Sequence, residues 1–461
     1  MLLHAEGHDV PWVRRRQLIQ LETEVYGLVS GPAWWRRSFL EYCVTNLRYR
    51  INPYDRCVLS LDGPEAREGE DPTKIKTKGL MIIEVDDILE AGDDDHMSKM
   101  KVLAEKVRFG KIEELNQPDG KGAGYAGRRI QQWDDFSFSY HMQDYVDNRL
   151  KPLTLHRKVL KKDAEHVKLN PEETQALRAV VAAINWTARE GRPDAAATAS
   201  ILSGVFPEPT VQHLYQVNDA INHLKQNHVT IKIHAIPEEQ LRHLVIADSS
   251  FDPSGKTKPQ HGWLQGLTTS ELNAGRVAPF SLISWRSRRL RRKAGSTTLC
   301  EAISLSTALG ALEKQSAVLS SMRFFRFDPK TAVGSSEVQL GLRGPPTVIA
   351  SEDAQYNDPS ALAIVDAKSV FGGASSEQAQ GEDERTALEI AVIQESLSAL
   401  SGRLRWVPHN LNAADGLTKL LEKAHIQPLM TLLRTHHLRI EEEKDVIARE
   451  KQSDLRMKSR H

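Results

Sequence analysis

Apolar residues recur along this chain in two periods, and the switches between them mark out its elements. In the second half, "LRHLVIADSSF", "HGWLQGLTT" and "PFSLISWRSR" read as three strands with turn residues between them. A long helical stretch follows over 296–322, then "SALAIVDAKSVF" as a strand entering a helix. "DERTALEIAVIQESLSAL" is a helix and "GRLRWVPHN" a last strand. The order β-β-β-α-β-α-α-β predicts a mixed sheet with helices packed on it. In the first half, Leu80 to Val85 is a short apolar run that predicts a buried strand turning at Asp86 and Asp87. "MSKMKVLAEKV" after it has helical spacing. Residues 171–186 form a helix opened by Pro171 and two glutamates. A further helix fits 209–227, before the alternating "VTIKIHAI". Residues 61–77 read as a polar loop, 328–360 as a Gly/Pro-rich stretch, and the charged tail from 436 as a solvated or frayed helix.

Composition narrows the class. The 461 residues are enough for two to four domains, and 40% hydrophobic with 26% charged is ordinary globular usage. Lys and Arg number 61, as do Asp and Glu, so a globally basic nucleic-acid coat is excluded while a local basic face is not. Cys43, Cys57 and Cys300 are too few and scattered for a disulfide scaffold or a cysteine zinc site, which makes a reducing compartment the expectation. No apolar run approaches the roughly 20 residues that span a bilayer. The chain is therefore expected to be intracellular, without a membrane partner.

Four acids stand where strands end or helices begin. Asp248 follows "LVI", Glu301 lies early in the long helix, Asp366 ends "ALAIV", and Asp415 lies in "NAADGLTKLL", where a helix is expected to open. Singly, each has a structural reading as a cap. As a set, acids at the ends of apolar strands need solvation, partners or a metal, because an unpaired buried carboxylate is costly. Four converging carboxylates suit hard cations such as Mg²⁺. Two such ions, about 3.5–4 Å apart, activate water and steady a leaving oxygen in phosphodiester cleavage.

The segment "VIADSSF … SLISWRSR … GSTTLCEAISLS … LAIVDAKSVF … RWVPHNLNAADGLTK" resembles the ribonuclease H domain of copia-type retrotransposon Pol polyproteins. The closing motif carries most of the specificity, through Pro408 and the run Ala414-Asp415-Gly416-Leu417-Thr418-Lys419. The resemblance covers about 240–425. It implies a ribonuclease H-like mixed five-stranded sheet with flanking helices, and places Asp248, Glu301, Asp366 and Asp415 on the Mg²⁺-binding acids, with Mn²⁺ as an alternative. Two positions depart from the family: Trp406 stands where a histidine usually precedes "V-P", and "EAISL" replaces "EAE". His409, after the proline, is read either as a proton shuttle or as an exposed structural histidine.

Upstream, "YGLVSGPAWWRRSF" and "EVDDILEAG" resemble the "YGL" segment and the "VDD" hairpin of copia-type reverse transcriptases. "DYVDNRL" and "GRPDAAATASILS" are similar to later segments of the same family, in its order. The resemblance makes Asp86 a metal ligand of a polymerase remnant and Asp87 its neighbour. Trp34 and Trp35 also read as core packing beside a helix. The family's palm needs a further aspartate on an upstream strand, and Asp9, before the "YGL" segment, lies in "EGHDVPW", which is no buried strand, so polymerisation by this chain alone is not expected. The expected organisation is a partial reverse transcriptase over 1–238 with palm, thumb and connection-like helices. A ribonuclease H-like domain follows over 239–425, interrupted near 328–360, and then a charged tail over 426–461.

The run "SWRSRRLRRKAGS" clusters Arg286, Arg288, Arg289, Arg291, Arg292 and Lys293 beside the proposed metal site. It is read as a sequence-independent phosphate contact, with nuclear import or a plain solvated loop as alternatives. The expected substrate is an RNA–DNA hybrid, recognised through shape and 2′-hydroxyls, with RNA and DNA as partners. The upstream part of the same polyprotein is a further expected partner. The compartment would then be cytoplasmic, in a virus-like particle, or nuclear. The competing readings are a catalytically dead nucleic-acid-binding remnant and a reverse transcriptase active once its missing palm is supplied.

Overall fold

The computed structural model describes residues 31–63, 77–85, 87–107, 109–252, 258–323, 359–376, 383–421 and 423–441, with 443, 446 and 449 beyond. Asp86 and 328–358 lie outside the described residues. It is a mixed α+β protein.

The first unit is an antiparallel sheet of β1 (Arg50–Ile51), β2 (Val58–Asp62), β3 (Thr77–Glu84) and β4 (Asp87–Gly92), in that order. Helices α1 (Gly31–Thr45) and α2 (Asp94–Lys106) share its core through Phe39, Cys43, Met81, Ile83 and Leu103. Two glycines let α2 close on the sheet. A Cβ on Gly79 or Gly92 would sit within 2.5 Å of the buried His96. His96 in turn bridges Tyr49 Oη (2.8 Å) and Glu90 Oε2 (2.6 Å).

A second antiparallel sheet holds β5 (Ala123–Tyr125), β6 (Arg128–Gln132), β7 (Phe138–His141) and β8 (Ile231–Ile233). Between β7 and β8 run α3 (Gln143–Arg149), α4 (Pro171–Glu190), α5 (Ala196–Leu202) and α6 (Val211–Gln226). A capping box starts α4: Asn170 Oδ1 accepts from Glu173 N at 2.8 Å, and Glu173 Oε2 from Asn170 N at 2.9 Å.

The third sheet has five strands in the order β12 (Ser281–Arg289), β10 (Gln260–Thr269), β9 (Leu241–Ser250), β13 (Ala361–Val365) and β14 (Gly402–Trp406). The first three are antiparallel and the last three parallel. Parallel strands are covered on both faces, which explains the unbroken apolar run of β13. Parity divides the two faces. Val245, Ala247, Ala363 and Val365 pack under α7 (Thr297–Arg323) and α9 (Glu384–Ala399). Leu244, Ile246, Leu362 and Ile364 share the opposite core with Leu177, Val217 and Leu429, the last on α10 (Lys423–Thr435). A short helix α8 (Lys368–Ala374) follows β13, and β11 (Ala278–Pro279) pairs with β15 (His437–Leu438).

Three expectations need correction. The hairpin turns one residue early: Glu84 pairs with Asp87, so Val85 is an exposed turn residue at φ 55° and not the buried end of a strand. A β-branched residue at positive φ is strained, so tertiary context overrides the apolar run there. No α-helix opens at Asp415, which lies in a 3-10 turn, Ala413–Leu417, six residues before α10. Nor does the tail from 436 begin as a solvated helix: His437–Leu438 is a strand, Ile440 is buried, and Glu443 pairs with the buried Arg405 at 2.5 Å. Of the two tryptophans, Trp35 stacks on Phe39 with ring centroids 5.1 Å apart, while Trp34 is exposed. Among the described residues, no helix is long and apolar enough to cross a membrane.

Candidate metal centre

The strand period puts two carboxylates side by side. β9 and β13 run parallel with Ile246 opposite Ile364, and two residues further along each strand stand Asp248 and Asp366. Both keep the parity of the residues facing α10, so both side chains leave the sheet on the same face. Their carboxylate oxygens and a His409 ring nitrogen all lie within 4.8 Å of one another.

Glu301 arrives from above, on the second turn of α7, and is buried. One turn on, Ser304 Oγ donates to the Asp248 carbonyl at 2.7 Å and fixes α7 over β9. Asp415 arrives through the 3-10 turn. Asn412 caps that turn by accepting from Ala414 N at 3.0 Å, and its Nδ2 donates to the Ala247 carbonyl at 3.1 Å. Packing is close at two glycines around this turn. A Cβ on Gly416 would meet Leu429 Cδ2 at 3.1 Å, and one on Gly262 would meet Leu417 Cβ at 2.5 Å.

The carboxylates feel one another. Burial, then the charges of Asp366 and Asp415, push the Asp248 carboxyl well above the ordinary range, against a 2.5 Å hydrogen bond from Thr418 Oγ1 to its Oδ2. Burial and the charges of Asp248 and Asp366 do the same to Glu301. Like charges held this close in a dry site are the electrostatic counterpart of a cation site. An all-oxygen set of this kind suits Mg²⁺ or Mn²⁺.

Three basic groups surround the cluster on one side. His409 Nδ1 is 2.6 Å from Asp366 Oδ2 while its ring is 57% exposed. His425 Nδ1 is 2.5 Å from Asp415 Oδ2, and Lys419 Nζ donates to Asp415 Oδ1. Sequence reading assigned no role to Thr418, Lys419 or His425. The first two sit inside the quoted "ADGLTK" run, and only α10's fold-back reveals His425.

The basic cluster divides. Crossing the sheet, Ser287, Gly262 and Asp248 stand in one row, so the β12 edge lies two strand spacings, about 10 Å, from the acids. Arg286, Arg291 and Lys293 are exposed. Arg288 Nε donates to His261 Nε2 at 3.0 Å. Arg292 is tied to Glu389 of α9, and the Arg289 guanidinium packs against Gly204.

Asp87 is elsewhere, exposed on the β3–β4 hairpin, where its Oδ2 accepts from Ala126 N at 3.4 Å. It lines a cleft of about 690 Å³ with Lys111, Arg128, Arg129 and Arg149. No family model matches the chain, and no curated protein sequence matches it.

Proposed function

We propose that this is a ribonuclease H-like endonuclease that hydrolyses the RNA strand of RNA–DNA hybrids, derived from the C-terminal part of a copia-type Pol polyprotein. On this reading its first half is a partial reverse transcriptase. The supporting observation is convergence: Asp248 and Asp366, at the ends of two adjacent parallel strands, bring ligand atoms within 4.8 Å of one another, and the carboxylates of Glu301 on α7 and Asp415 on the 3-10 turn lie within reach of their charge. Their mutual repulsion in a buried site is what a divalent cation would relieve, so the donor set fits one. Asp248, Glu301, Asp366 and Asp415 would hold it. When bound, Mg²⁺ or Mn²⁺ supplies the charge that eases deprotonation of water and stabilises the leaving oxygen.

The chain's own residues do the rest. Thr418 orients the Asp248 carboxylate by a 2.5 Å hydrogen bond. His409, anchored through Nδ1 on Asp366 and open to solvent, holds a proton at the rim and passes it on. Arg286, Arg288 and Arg291 bind phosphates along the β12 edge without reading bases, as hybrid recognition by shape requires.

The test is cleavage of an end-labelled hybrid with Mg²⁺ and with EDTA. Cleavage should require Mg²⁺ and fall at least a hundredfold, about 3 kcal/mol of barrier, in Asp366→Asn. Cleavage that survives both EDTA and Asp366→Asn would overturn the reading.

A further inference from the structure

We propose that His409, Asp415 and His425 form a second metal site, selective for a borderline-soft divalent ion of the Zn²⁺ class, beside the hard-cation carboxylates. The three residues come from separate places: the turn after β14, the 3-10 turn and the start of α10. His409 Nε2 lies 3.7 Å from Asp415 Oδ2, and His425 Nδ1 lies 2.5 Å from the same oxygen. All three ligand atoms fall within 4.8 Å of one another. A tetrahedral zinc with bonds of about 2.0–2.1 Å spaces its ligand atoms by about 3.3 Å, so small side-chain adjustments close the site.

The surroundings favour a nitrogen-loving ion. Asp366 accepts at His409 Nδ1 (2.6 Å), which leaves the Nε2 lone pair facing Asp415 and His425. A carboxylate behind a ligating histidine is the usual support of a zinc ligand. Two imidazoles and one carboxylate suit zinc, and Mg²⁺ prefers the all-oxygen set next door. His409 is exposed, so an ion enters from solvent and the fourth position faces water. Lys419 is the built-in competitor: its ammonium binds Asp415 Oδ1 and reaches His425 Nδ1 at 3.3 Å. Zinc must displace it from His425.

Asp415 belongs to both sets, so zinc at the second site draws it away from the first. Zinc would then inhibit Mg²⁺-dependent hybrid cleavage, a consequence that rests on the function proposed above. Zinc binding itself does not.

The test uses the full chain without nucleic acid, in excess Mg²⁺. Titrated Co²⁺ should give the strong visible band of a four-coordinate ion, and Zn²⁺ should abolish it. In calorimetry, His425→Asn and the surface variant His409→Gln should each weaken Zn²⁺ binding at least about tenfold. Lys419→Gln should strengthen it. A weak six-coordinate Co²⁺ spectrum, or Zn²⁺ affinity unchanged in both histidine variants, would overturn the site. A chain that binds zinc in this pattern but cleaves no hybrid keeps the zinc site and sinks the ribonuclease reading. A chain that cleaves hybrid but binds no zinc does the reverse.

Discussion

Arg192 and Asp194 are both fully buried and paired at 2.7 Å, and His223 Nε2 meets the same carboxylate at 2.9 Å. Burial raises the Asp194 carboxyl, but the Arg192 charge and the hydrogen bonds from His223 and Arg192 outweigh it and hold the group below its ordinary range. Arg192 also donates to the Leu224 carbonyl at 2.8 Å, so the pair ties the end of α4 to α6. Breaking one side of such a pair leaves a bare buried charge, and Asp194→Ala should lose about 3–5 kcal/mol in urea unfolding. Replacing both residues by apolar ones should cost clearly less. Loss of under about 1 kcal/mol in Asp194→Ala would mean the pair is not buried as described. His243 is also shifted down, and here burial alone does it. Burial pushes its imidazole from 6.5 down to about 4, with Gln315 Nε2 as its 3.4 Å neighbour. The folded chain keeps His243 neutral while the unfolded chain protonates it near pH 6.5. Its stabilising contribution is therefore complete above pH 6.5 and lost as pH falls toward 4, by about 3 kcal/mol. His243→Gln should flatten that slope, read as unfolding free energy against pH. An unchanged slope would place the acid sensitivity elsewhere.

At the scale of elements, the edge strand β12 is where charge meets the sheet. Arg292 is held by Glu389 and Arg289 packs on Gly204, so of the arginines in the run Arg286, Arg288 and Arg291 are the proposed phosphate contacts. Changing these three to Glu should weaken hybrid binding and lower the log–log salt slope by roughly 0.7–0.9 per lost contact. Equal slopes before and after would return the run to a solvated loop. Gly262 is the packing counterpart, because its missing side chain admits Leu417 and seats the Asp415 turn. Gly262→Val should destabilise the fold by about 1–3 kcal/mol. What could be read from the sequence follows the same division. The ends of apolar strands and the closing motif singled out Asp248, Asp366 and Asp415, because a carboxylate ending a buried run must find water, a partner or a metal. Helical period made α7 readable, and Pro171 with two glutamates marked the start of α4. The 3-10 turn was not, since five residues carry no period, and neither was His425, whose approach depends on α10 folding back. Val85 misled for a related reason: apolarity marked it as strand interior, while pairing between Glu84 and Asp87 forced it into the turn.

On the scale of the whole molecule, one core crosses the boundary drawn at 238/239. Leu177, Val181 and Ile184 of α4 and Val217, Ile221 and Leu224 of α6 are buried with Leu244, Ile246 and Leu264 of the five-stranded sheet. Burying each such side chain is worth about 1.5–3 kcal/mol. Six of them together match the whole stability of an ordinary domain, about 5–15 kcal/mol. On the other flank, α10 adds Leu429 and Leu433 to the same core, and Ile440 follows from the tail. The β1–β4 unit differs: its core is separate, and its polar links to α7 run through Arg50, Asn52 and Thr77 to Ser321 and Met322. A fragment of residues 239–425 should therefore fail to unfold cooperatively in urea, followed by circular dichroism. A fragment of 110–449 should show a single sharp transition and retain Mg²⁺-dependent hybrid cleavage, because every proposed ligand and the core beneath it lie within it. Asp87, exposed on the hairpin of the removed unit, contributes no ligand to that site. If 239–425 alone unfolds cooperatively and cleaves hybrid, the α4–α6 layer is a covering for the sheet and not part of its core.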